Sequence, residues 1–255
     1  MVRAGRSREG PVTRRPLIVV MALAVVAIGG YVAYDQFLRG DEVPPLTLPS
    51  ASPPGASPSK AASSEPISPT GTGTQGELAG EWAVSDGSIV GYRVREKLAS
   101  LPAQSDAVGR TSDVTGSATL AASGDAVTVT AASFEADLTT LASDDGRRDR
   151  RLQQIGLESS RFPAGSFTLT SPIEVPAVAL SGETVDVTLV GDVTIHGVTK
   201  SVSIPAQARL TADQIEVQGS LTFAFSEFGM TPPNIAGFVS VEDDATLEFL
   251  LILAR

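Results

Sequence analysis

VDVTLVGDVTIHG, residues 185–197, alternates apolar and polar side chains over its whole length. Val185, Val187, Leu189, Val193 and Ile195 fall on one face, Asp186, Thr188, Asp192, Thr194 and His196 on the other, and Val190 alone breaks the pattern. A period of two is the signature of a strand with one face buried. His196-Gly197 supplies a turn that returns the chain into residues 198–210, where Val202, Ile204, Ala206 and Ala208 again share a face. The pair reads as a long antiparallel hairpin.

Runs of the same kind occur at 89–94, 113–120, 126–138, 166–173, 215–225 and 246–253, separated by Gly, Asp and Ser clusters. With a run near Trp82 this makes eight or nine strands. The last, LEFLLIL at 247–253, is apolar on both faces apart from Glu248, so both faces are expected to be covered. Long strands joined by hairpins favour a closed barrel, because closure removes exposed edges. The expected fold is therefore all-β: an eight-stranded antiparallel barrel over 80–255 with one or two short helices. The helical candidate is 144–156, where Asp144 and Asp145 suit a helix N-terminus.

The region before the barrel has a different composition. Residues 1–16 form a basic tail, and residues 17–37 begin with LIVVMALAVVAIGGYVAY, a stretch without charge. That run covers about 27 Å as a helix, close to the thickness of a hydrocarbon core. Arginines before it and acids after it orient the N-terminus to the cytoplasm and the barrel outward. The expected localisation is the cell membrane, as a single-pass protein with an extracytoplasmic domain; the alternative is a secreted form after signal cleavage. Signal-peptide cores usually run only about 7 to 15 residues, which favours the anchor. Residues 38–79, rich in Pro, Ser, Thr and Gly, read as a disordered linker.

Five arginines against one glutamate in residues 1–16 leave −14 for the rest of a chain whose net charge is −10. An acidic domain repels phosphate backbones, so no nucleic-acid partner is expected. The chain has no cysteine, which excludes disulfides, thiol chemistry and a lipidated Cys anchor. Its single histidine, His196, sits at a turn, and one histidine makes neither a metal site nor a catalytic triad. No Gly-rich phosphate loop precedes a helix. A non-enzymatic role is expected, with Tyr92 and His196 the few groups that a reaction in the interior could use.

What remains is a surplus of large apolar side chains. A barrel of about eight strands either fills its interior or holds one small ligand. Candidate lining residues are Val187, Leu189, Val193, Ile195, Leu221, Phe223, Phe225, Phe228, Phe238 and Phe249. The basic cluster around 144–156 makes Arg148 and Arg151 candidate headgroup contacts. No metal is expected, and no cofactor beyond a bound elongated lipid. The competing reading is an envelope interaction module with a filled core; whether two barrels pair as a homodimer is left open.

Gly80-Glu81-Trp82, Arg148-Asp149 with Leu152, Phe162-Pro163 with Phe167, and above all Gly191-Asp192-Val193-Thr194-Ile195-His196-Gly197-Val198-Thr199-Lys200 stand out as motifs. In them the chain resembles the YceI-like family of polyisoprenoid-binding proteins. Phe228-Gly229 and the closing apolar strand complete the resemblance. It implies an extended lipocalin-like barrel around a lipid tunnel, with an isoprenoid or quinone-like lipid as ligand; the cytoplasmic membrane is the partner expected from the N-terminal helix. Two positions and one stretch depart from the family pattern: Arg151 where a His is usual, Asp145 where an Asn is usual, and Ile155-Gly156-Leu157-Glu158 in place of D-F-F-D.

Overall fold

The computed structural model describes residues 43–50, 78–98, 104–124, 126–211, 213–232, 234–235 and 239–255. The basic tail, the expected membrane span, most of the linker and Phe238 lie outside them. Among the described residues no helix is long and apolar enough to cross a membrane.

The strands are β1 (Gly80–Val84), β2 (Ile89–Leu98), β3 (Gln104–Thr111), β4 (Val114–Ser123), β5 (Ala126–Asp137), β6 (Ala164–Leu169), β7 (Ile173–Val175), β8 (Val185–Ile195), β9 (Val198–Leu210), β10 (Gln214–Ala224), β11 (Asn234–Ile235) and β12 (Val239–Ala254). Eight of them close a ring in the order β1-β4-β5-β6-β8-β9-β10-β12, with β12 pairing back onto β1. Every pairing is antiparallel. The hairpin β2–β3 adds to β12 beside β1. One short helix, α1 (Gly146–Arg151), lies between β5 and β6 and runs into a π-turn at Leu152–Gly156.

The hairpin that decided the fold forms as expected. β8 and β9 pair from Val185↔Ala208 to Ile195↔Val198. His196 and Gly197 both have positive φ, 54° and 75°, the twist that a two-residue hairpin turn requires. Asp145 caps α1, its carboxylate accepting from the Arg147 N–H at 2.8 Å. That bond to the charged form holds the Asp145 carboxyl below the usual carboxylate range. Trp82 is buried in the main core, donates to the Leu78 carbonyl at 3.0 Å and lies under the Arg255 guanidinium.

Two differences from the sequence reading have plain causes. The single run expected at 166–173 is split into β6 and β7, and the break falls at residues 170–172, where Pro172 has no N–H for a ladder. The other concerns residues 43–50, VPPLTLPS, which composition places in the linker. In the structure they lie along the outside of the barrel. Leu46 is 7 % exposed and packs with Leu48 against Ile89, Leu250 and Ile252. Three arginines of the wall hold the main chain: Arg93 donates to the Val43 carbonyl at 2.9 Å, Arg110 to Pro44 at 2.5 Å and Arg209 to Pro49 at 2.6 Å. This strap is the outer cover that the doubly apolar β12 requires. Residues 43–255 form one compact unit that contains the closed sheet, its core and the strap.

Candidate functional site: an apolar tunnel in the barrel

The inward-facing side chains do not fill the barrel. They surround a cavity of about 230 Å³. A void of that size left empty forfeits packing on the order of 5 kcal/mol at about 24 cal/mol per Å³. That equals the whole net stability of many domains, so the space is not a minor packing fault.

Val187, Leu189, Val193 and Ile195 from β8 line the cavity together with Phe223 from β10 and Phe249 from β12. Leu221 packs on the core beside it. Phe225 and Phe228, though buried, belong to the core and not to the lining. The chain leaves β10 at Ala224 for a 3₁₀ turn over Phe225–Phe228, so the alternation stops and Phe228 packs edge-on against Phe223 at 4.8 Å. Phe238 is outside the described residues. Residues the sequence argument did not single out complete the wall, among them Val90, Phe134, Phe167, Leu247 and Leu251. Their alternation along β2, β5, β6 and β12 was the available signal.

The two ends differ. Leu78, Ala179 and Leu180 line the end beside β7 and the 3₁₀ turn Ala177–Ser181. Leu138, Leu141 and Leu157 line the end beneath α1, and there the polar groups gather. Arg148 of α1 reaches Glu96 of β2 at 2.7 Å and also bonds Asp144. Asp149 accepts from the Ser143 hydroxyl at 2.6 Å. Arg151 is exposed on the helix.

Tyr92 of β2 lines the cavity at this end, and its hydroxyl is buried without a hydrogen-bond partner. Burial pushes its pKa up to about 12. Its ring crosses Gly109 of β3, where a Cβ would come within 2.3 Å of the ring; only glycine admits it. His196 does not line the cavity: its ring packs tilted against Phe162, with centroids 4.4 Å apart, as a residue of the hairpin turn. Among the described residues no cluster of His, Cys, Asp and Glu could hold a metal.

The YceI-like domain family model matches residues 84–253. The chain is an eight-stranded antiparallel barrel around a cavity lined by apolar side chains, and it belongs to the YceI-like family. No curated protein matches. Among solved structures, the chain is similar to a polyisoprenoid-binding domain from Saccharophagus degradans implicated in plant cell wall breakdown, at 16 % identity and a TM-score of 0.51 over 69 % of this chain and 99 % of that one. It is also similar to BcnA of Burkholderia cenocepacia, at 19 % identity and a TM-score of 0.48 over 66 % and 98 %. The YCEI protein of Campylobacter jejuni aligns at 17 % identity and a TM-score of 0.45 over 58 % and 84 %. At such identities the likeness speaks for the fold.

Proposed function

We propose that the protein is an extracytoplasmic lipid-binding protein, held at the cytoplasmic membrane by residues 17–37, whose barrel takes up a polyisoprenoid, quinone-like or other long-chain amphiphile. The observation that carries this reading is the cavity itself: about 230 Å³ of space walled by apolar side chains of β2, β4, β5, β6, β8, β9, β10 and β12. Walls of this kind recognise a hydrocarbon chain by burial alone, at about 0.8 kcal/mol per methylene. Family membership and the polyisoprenoid-binding relative support the same ligand class. The arrangement suits holding a chain: the lining is almost wholly apolar, with Tyr92 and Glu135 its few titratable oxygen groups. An interaction module with a filled core has no use for such a void.

Filling the tunnel tests this. Val187→Phe places a ring in the space that Val187, Leu189 and Phe249 line, so the barrel should keep its thermal midpoint within a few degrees while titration with a long-chain isoprenoid loses the saturable binding of the wild type. Equal binding by both proteins would place the ligand elsewhere.

A further inference from the structure

α1 and the π-turn that continues it, Gly146–Arg151 and Leu152–Gly156, carry two unlike rows of side chains at a spacing of four, the repeat that stacks residues along one side of a helix. Arg148, Leu152 and Gly156 form the inward row: Arg148 bonds Glu96 of the wall, and Gly156 is buried. Arg147, Arg151 and Ile155 form the outward row, with Arg150 and Gln154 beside it, and all five are exposed. We infer that this outward face docks on an anionic lipid bilayer, with Arg147, Arg150 and Arg151 against the headgroups and Ile155 in the interface. The inference goes beyond the lipid held in the cavity and does not depend on it.

Three observations carry it. The first is the division of charge within the segment. Its carboxylates are already engaged: Asp144 with Arg148, Asp145 with the Arg147 N–H, and Asp149 with the Ser143 hydroxyl. Glu158, the next acid along the chain, pairs with Arg161 at 3.6 Å. Among the described residues Arg147, Arg150 and Arg151 take part in no ion pair. Their charge is left for an outside partner.

The second is Ile155, which at 62 % is the most exposed large hydrophobic side chain among the described residues. One exposed isoleucine is ordinary on a protein surface, but this one continues the row of Arg147 and Arg151. Cations beside an apolar side chain are the pattern of a helix that lies in a membrane interface. An acidic peptide would use the arginines and leave Ile155 in water; a bilayer uses both. The third is the acidity of everything else, −14 beyond residue 16. An anionic surface repels such a body and admits it only by a cationic face, so the same charge that weakens adsorption fixes its orientation. Leu157, directly after the π-turn, lines the cavity. Docking by this face therefore turns that end of the cavity towards the bilayer.

Residues 43–255, the compact unit that contains the barrel and its strap, would be sedimented at low salt with vesicles of phosphatidylcholine alone or of phosphatidylcholine and phosphatidylglycerol in equal parts. The wild type should sediment with the mixed vesicles only, and added salt should release it. Replacing Arg147, Arg150 and Arg151 together by Gln should weaken binding about 100-fold, at about 5-fold for each basic residue near an anionic surface. Ile155→Ser should weaken it about 3- to 10-fold through lost apolar contact. Both variants should melt with the wild type, because these side chains make no hydrogen bond or ion pair within the fold. Val187→Phe, altered only inside the barrel, should sediment as the wild type does, which separates docking from uptake. A wild type that stays in solution with the mixed vesicles or sediments equally with both kinds, or either surface variant sedimenting as fully as the wild type, overturns this inference and leaves the lipid-binding reading standing.

Discussion

The two faces of β12 have nearly the same chemistry and opposite fates. Leu247, Phe249, Leu251 and Leu253 face inward and line empty space. Leu250 and Ile252 face outward and are covered, since Leu46 and Leu48 of the strap close over them. Both faces withdraw apolar surface from water, but outside the protein supplies its own cover, whereas inside it leaves the cover to something else. The outer face also shows how the chain seals a wall. Glu248, 4 % exposed, binds Arg93 at 2.6 Å and Arg110 at 3.3 Å, and both arginines then hold carbonyls of the strap. Arg209 and Glu216 repeat the device at Pro49. Arginine suits this task because its fork of donors serves a carboxylate and a carbonyl together. Among the described residues nothing comparable closes the inner face, and the buried Tyr92 hydroxyl has no partner.

If the outer face is a finished interface, breaking its ion network should have the largest effect. Glu248→Ala strands two arginines beneath the strap and should cost about 4 kcal/mol in urea unfolding, the range for removing one partner of a buried pair. A loss below about 1 kcal/mol would mean that water reaches the network.

The inner face should respond to alkali. The Tyr92 pKa is about 12 in the folded protein and 10.0 in a free chain. A raised folded value means that the unfolded chain loses its proton first. Stability is thus fully present below pH 10 and falls as pH rises towards 12, by about 3 kcal/mol for a shift of this size. Tyr92→Phe should flatten that part of the stability curve, measured as urea midpoints against pH.

A smaller effect is expected at the strap. Leu46→Ala should lower stability by about 2 kcal/mol, at the low end for a buried leucine because the strap can shift into the space. Lipid uptake should be unchanged, since Leu46 touches the outside only. Reduced uptake would show that the two faces are coupled through β12.

The inner face was largely legible in the sequence because alternation reports it directly. The β8–β9 hairpin, its turn at His196-Gly197 and the demand of β12 for cover on both sides all follow from period two. The outer face was less legible because its burial is polar. β3 escaped notice since Asp106 and Arg110 interrupt any apolar pattern, and their place becomes clear only when Arg93 and Glu248 stand across from them. The strap was hidden by its composition. Val43, Pro44 and Pro49 dock through carbonyls that every residue carries, and prolines offer an acceptor without needing a partner for an N–H, so a segment that reads as linker can be bound without changing its character. Phe225 and Phe228 were assigned to the wall because nothing in their spacing announces that the strand ends at Ala224.

The central claim is that the inner face awaits a lipid chain, and native mass spectrometry paired with denaturing mass spectrometry and lipid extraction tests it most directly. Residues 43–255, expressed in a bacterial host and purified without detergent, should carry a stoichiometric adduct that denaturation releases and extraction identifies as an isoprenoid, quinone or other long-chain amphiphile. A clean apo mass that stays unchanged when such lipids are added would contradict the account.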